Sequence, residues 1–201
     1  MSDTINAKNE SGSAKYAPHK NGQFVAQCVD VIDLGEKVDS GPNYPDKLSP
    51  KCVLVFRTGE KNEKGEPHDV AQEYTVSMYE KANLRKALET WRGQPYTEGQ
   101  VNDGVPLHKL MGQWALITVA HKQSKKDRTY AFIQSIIGVP AMLKERPVFD
   151  SYKRAEFWQE RKDEYAQDAA KFRALHAAPA GAIDDEGFPP ASDDDDSSLP
   201  F

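Results

Sequence analysis

The sequence predicts a β-dominated α+β domain: five strands, with a helix between the third and the fourth. Three observations predict it. Five runs rich in Val, Ile, Phe and Tyr are separated by clusters of Gly, Pro, Asn and Asp. Between the third and fourth runs, Leu84, Leu88 and Trp91 fall at i, i+4 and i+7, the spacing of one helix face. Pro140 and Pro147 then close the β-rich region before a second helical pattern begins.

The elements follow in order. Met1 to about Pro18 is polar and small without periodicity, which predicts a disordered arm over residues 1–19. Phe24 to Leu34 is the first strand. Ser40 to Pro50, rich in Gly, Pro, Asn and Asp, reads as a loop. Lys51 to Arg57 is the second strand, Gly59 to Asp69 a charged turn segment, and Gln72 to Ser77 the third strand. The helix starts at an S-x-x-E capping box, Ser77 and Glu80, and stops at Gly93. Gln94 to Met111 is a loop with a short helical turn. Gln113 to Lys122 and Arg128 to Ile137 are the fourth and fifth strands, joined by a basic hairpin. Five strands with a helix between the third and fourth is the layout of the OB-fold, a small Greek-key barrel, here over residues 20–142. Over 148–178 a long helix carries a stripe of Ala155, Trp158, Tyr165, Ala169 and Phe172, which packs on the barrel or on a second subunit. Residues 179–201 form a disordered acidic tail.

At 201 residues the chain holds one ordinary domain plus extensions, and a hydrophobic content of 38 % is lean enough to favour disordered ends. Cys28 and Cys52 lie inside strands, with no C-x-x-C spacing and no histidine partner, so neither a metal site nor a disulfide framework is expected. No run approaches the roughly 18 apolar residues of a membrane span, and the N-terminus does not read as a signal peptide. A cytoplasmic location is expected. Motifs for phosphate loops, nucleophile elbows and zinc hydrolases are missing, so no enzyme and no cofactor is expected.

Charge is unevenly distributed. Ala180 to Phe201 holds seven acids and no base, so removing it shifts the net charge from −5 to +2. Within the remainder, Leu107 to Arg146 holds seven bases against two acids. A basic surface tethered to an acidic tail suits a nucleic-acid binder carrying its own competitor. A solvated hairpin would produce the same basic cluster. Single strands need a positive groove and aromatic faces on which bases stack. Tyr130 and Phe132 share one face of the fifth strand, with Ala131, Ile133 and Ser135 on the other. They are the leading stacking candidates; Trp114, Phe56 and Tyr74 are reserves that a barrel core could equally claim. Arg57, Lys122, Lys125, Lys126 and Arg128 are the phosphate candidates, with Lys81, Arg85 and Arg92 extending the track. The tail, Asp193, Asp194, Asp195 and Asp196 followed by Leu199, Pro200 and Phe201, reads as a solubilising extension or as a docking peptide.

Several segments resemble one family. They are Met78 to Thr97 (Met-Tyr-Glu-Lys-Ala-Asn-Leu-Arg-Lys-Ala-Leu-Glu-Thr-Trp-Arg-Gly-Gln-Pro-Tyr-Thr), Met111-Gly-Gln-Trp114, Thr118-Val-Ala-His-Lys122 and Arg128-Thr-Tyr-Ala131. Together they are similar to small tailed-phage single-stranded-DNA-binding or replication proteins with an OB-fold. The likeness spans about Gln23 to Pro140 and is most specific in the helix. Relatives often carry Asn where this chain has Phe132, which implies an open-face position and marks the aromatic as a departure. The acidic tip is similar to those by which such proteins recruit partners. The resemblance implies single-stranded DNA as ligand and replication or recombination proteins as partners of the tail. A homo-oligomer is left open. A protein adaptor, or an RNA or duplex binder, is the alternative.

Overall fold

The computed structural model describes residues 17–42, 44–124, 128–143, 146–149 and 151–177. The expected N-terminal arm up to residue 16, Lys125, Lys126 and the acidic tail from Asp193 to Phe201 lie outside the described residues. The elements are β1 (Gly22–Gly41), β2 (Tyr44–Lys61), β3 (Pro67–Thr75), α1 (Asn83–Arg92), α2 (Glu98–Asn102), a 3-10 turn (Leu107–Leu110), β4 (Trp114–Gln123), β5 (Thr129–Ile137) and α3 (Phe157–His176). The strands form one antiparallel sheet in the order β3-β2-β1-β4-β5.

The sheet carries a core on each face. On the inner face Ala26, Cys28, Cys52, Leu54, Phe56, Val70, Ala115, Ile117, Val119, Ile133 and Ile136 pack together, and α1 closes one end with Leu84, Leu88 and Trp91. Trp91 tilts against Phe56 at 5.4 Å and donates its indole N–H to the Trp114 carbonyl at 2.9 Å. On the outer face α3 lays Trp158 and Tyr165 on Ile32, Leu34, Val53 and Val55. Each such side chain contributes about 1.5–3 kcal/mol through burial. A bulge at Val29 of β1 makes the two cores compatible. Cys28 pairs with Phe56 and Asp30 with Val55, so the extra residue reverses the strand's faces. Ala26 and Cys28 therefore point into the inner core, and Ile32 and Leu34 into the outer one.

Several boundaries depart from the sequence expectations. The expected loop from Ser40 to Pro50 is mostly ladder: Val38 pairs with Leu48 and Gly41 with Tyr44. Pro45 and Pro50 fit because β3 pairs with β2 no further than Lys51, so on that side no partner needs their missing N–H. Helix α1 starts at Asn83, and its N-cap Ala82 makes no side-chain cap. Ser77 Oγ instead accepts from the Tyr79 N–H at 3.2 Å, a local turn that competes with helix. The capping box is real one helix later, between Thr97 and Gln100. The helix end is as expected: Gly93 has φ 73° and returns its N–H to Glu89. Ser135 also changes face. A bulge leaves Gln134 unpaired, with Val119 opposite Ile133 and Thr118 opposite Ser135. Ser135 therefore lies on the outer side, its hydroxyl on Thr118 Oγ1 at 2.9 Å.

Candidate nucleic-acid interface

The two outer strands of the sheet, β3 and β5, bring their edges together, but among the described residues no ladder joins them. One side chain crosses the gap: Gln72 Oε1 accepts the Ile133 N–H at 3.4 Å. A length of 3.4 Å is beyond a normal amide bond, so the stitch is weak. A cleft follows this seam. Its upper end, about 220 Å³, is lined by His19, His68, Ala71, Thr129 and Tyr130. Its lower end, about 330 Å³, lies between β3, α1 and the β5 stretch Phe132–Ile136.

Tyr130 and Phe132 flank this cleft on the outward face of β5, as the alternation predicts. Their neighbours on β4 are Lys122 and Ala120. Tyr130 is 44 % exposed, Phe132 half-buried, and Lys122 and Arg128 exposed. The nearby positions on this face, Thr118, Ala120 and Ser135, carry small side chains. An aromatic pair beside two exposed cations can hold a flat, anionic polymer by stacking and phosphate contact.

At the upper end His19 and His121 are held in place by hydrogen bonds. His19 is 2 % exposed. Its Nδ1 donates to the Lys20 carbonyl at 2.9 Å, so in the neutral ring Nε2 accepts from the Thr58 hydroxyl at 2.7 Å. His121 Nε2 donates to the His19 carbonyl at 2.6 Å. Burial, and next the neighbouring His19, hold the pKa of His68 below its ordinary value, so it is neutral at pH 7.

Six other expected residues are placed differently. Phe56 is fully buried in the inner core and offers no face to a base. Arg57, 5 % exposed, makes a two-pronged pair with Asp69 at 2.7 and 2.8 Å and lies under the Tyr152 ring, so it is not a phosphate contact. The apolar run before these two residues, Cys52 to Val55, is buried because β2 is covered on both faces. Arg85 bridges Glu89 at 2.9 Å and the Met78 carbonyl at 3.1 Å, which ties down the start of α1. Arg92 stacks on Tyr96 at 4.2 Å, at the far end of α1 from Asn83. Tyr74 packs on the inner core and reaches the cleft only as part of its wall. Trp114 is on the outer face, but Phe149 stacks on it at 5.6 Å and Arg146 lies over the ring. Lys81 is exposed in the turn before α1.

Sequence reasoning missed the cleft residues Gln72, Asn83, Lys86, Thr90 and Gln134. One signal was present: Asn83, Lys86, Ala87 and Thr90 fall at i, i+3, i+4 and i+7, a polar stripe beside the core stripe of α1.

Among the described residues no cluster of His, Cys, Asp or Glu is arranged to hold a metal ion. Burial pushes the Cys28 thiol up to about 12 and Cys52 up to about 11, so both stay unreactive thiols. No described helix is long and apolar enough to cross a membrane. Compared with models of known protein families and with curated proteins, the chain matches none.

Proposed function

We propose that this protein binds single-stranded DNA with little regard to sequence, along the β5 edge. The observation that carries the reading is the open β3/β5 seam, walled by Tyr130 and Phe132 and flanked by Lys122 and Arg128. The strand order, the facing outer edges and the helix between β3 and β4 support an OB-type barrel. In that fold the outer surface of strands 2 and 3 is the usual platform. Here α3 occupies part of that surface, with Tyr165 hydrogen-bonded to Glu73 of β3 at 2.9 Å. The platform is therefore displaced toward β4 and β5. Bases stack on Tyr130 and Phe132, and Lys122, Arg128 and Lys81 meet phosphates, with Lys125 and Lys126 adding charge from the β4–β5 hairpin. The cleft follows β5 from Thr129 to Ile136, eight residues at about 3.3 Å each, enough for a few nucleotides, the low end of the range for one OB domain.

The tail from Asp193 to Phe201 is the recruiting element, read by replication or recombination proteins and competing with DNA for the basic groove. The resemblance to tailed-phage single-stranded-DNA-binding proteins supports this part. A fluorescence titration with oligo-dT tests the reading. Binding is expected to weaken as salt rises, with a log–log slope near −0.7 per phosphate contact. No binding at low salt overturns it, and tighter binding to RNA or duplex reassigns the ligand.

A further inference from the structure

The lower cavity is more than a continuation of the cleft. Its walls are Phe132, Tyr74 and Ala87, with Ile133 and Ile136 beneath. Its rim carries Gln72, Asn83, Lys86, Thr90, Gln134 and Ser135. Three of these six are already committed. Gln72 serves Ile133, Ser135 serves Thr118, and Thr90 donates to the Lys86 carbonyl at 2.7 Å. The other three, the Asn83 and Gln134 amides and the Lys86 ammonium, make no hydrogen bond or ion pair to described residues. The cavity thus has a stacking wall, two amides that both donate and accept, and one cation.

That set of groups selects the ligand. A bare anion would need more than one cation and would leave the ring wall and the amide carbonyls unused. A purely apolar group would bury three polar heads without partners. A peptide strand added to the β5 edge would meet the bulge at Gln134, which breaks the ladder spacing. A nucleobase uses every feature: a flat face for the rings, donor and acceptor edges for the amides, and a phosphate for the lysine. About 330 Å³ matches roughly eleven water volumes of about 30 Å³ each, room for one base and its sugar.

We infer that the cavity between the β5 bulge and α1 is a nucleobase subsite. It takes one base turned away from the stack on Tyr130 and Phe132, and reads its edge through Asn83 and Gln134. The inference rests on the single-strand reading above and adds a point of base preference to it. The bulge is the device: the extra residue breaks the ladder where Gln134 comes to the cavity rim.

The test uses the full chain and labelled dA, dC and dT homopolymers at fixed salt. Wild type is expected to rank them differently, by roughly tenfold between best and worst. Asn83→Ala with Gln134→Ala should compress that ranking and leave the salt slope unchanged. Lys86→Gln should reduce the salt slope by about 0.7, the loss of one phosphate contact. Thr90→Trp, a bulky side chain at an exposed cavity position, should reproduce the compressed ranking. All four positions are exposed, so folding is retained and checked by circular dichroism. Equal affinities for the homopolymers in wild type overturn the subsite. So does a ranking unchanged in the amide variants, which would leave base preference to the stacking faces. In both cases single-strand binding itself survives. Failure of wild type to bind any homopolymer at low salt overturns the single-strand reading, and the subsite with it.

Discussion

Tyr130 is an edge-strand residue whose ring is 44 % exposed. Among the described residues no other ring or cation packs on it. Its removal should leave the fold almost untouched, within about 0.5 kcal/mol. If bases stack on it, Tyr130→Ala should weaken oligo-dT binding by about 1–3 kcal/mol. Titration of the variant at low salt checks this, and an unchanged affinity removes Tyr130 from the path. Asp30 is the opposite case, 4 % exposed and held by Arg154 through two hydrogen bonds of 2.7 Å. Burial raises its pKa, but hydrogen bonds from Arg154 and Tyr152 and the guanidinium charge outweigh it, so the net shift is downward. A depressed carboxylate contributes stability that is present above its unfolded pKa, about 3.9, and is lost as pH falls through the lower folded value. Arg154→Met should therefore flatten the acid limb of the stability curve below about pH 4. It should also cost about 1–3 kcal/mol at pH 7, because a buried carboxylate loses its partner. Urea unfolding at pH 3 and pH 7 reads both; equal losses at the two pH values would falsify the assignment.

Helix α3 belongs to the fold, covering β1 and β2 on the outer face, away from the proposed DNA path along β5. Trp158 is 9 % exposed and lies in the outer core with Ile32, Leu34, Val53 and Val55. Trp158→Ala should cost about 3 kcal/mol by denaturant unfolding, within the range for truncating a buried aromatic. Oligo-dT affinity, measured where the variant is still folded, should not change. A loss of affinity matching the loss of stability would put α3 in the path. The stripe of α3 was legible because Trp158, Tyr165 and Ala169 repeat at helical spacing above a polar background. The core face of α1 was legible for the same reason. Residues Cys52 to Phe56 were legible as a strand but not as a doubly covered one. A continuous apolar run does not say what lies on each side. That is why Phe56 and Arg57 stood among the binding candidates. The alternation that put Tyr130 and Phe132 on one face held, whereas Ser135 changed face because a bulge leaves no mark in local sequence.

At the scale of the whole molecule, burial is graded across the sheet. Residues 51–58 of β2 are buried without interruption, between the inner core and α3. Among the described residues β5 has β4 on one side and the single Gln72 hydrogen bond crossing to β3 on the other. Stability should follow this gradient. Amides of β2 should exchange only through global unfolding, and those of β5 through cheaper local opening. Hydrogen exchange of the free protein should therefore show β5 as the least protected strand. A saturating single strand that stacks on Tyr130 and Phe132 and bridges to α1 should hold the seam closed. Protection should rise from Thr129 to Ile136 and at the start of α1, while β2 and α3 stay unchanged. Footprints on the two elements of the seam, absent from β2 and α3, would tie the ligand to the cleft. Protection gained on α3 or on the outer face of β2 would place the nucleic acid on the usual OB platform and displace this reading of the interface.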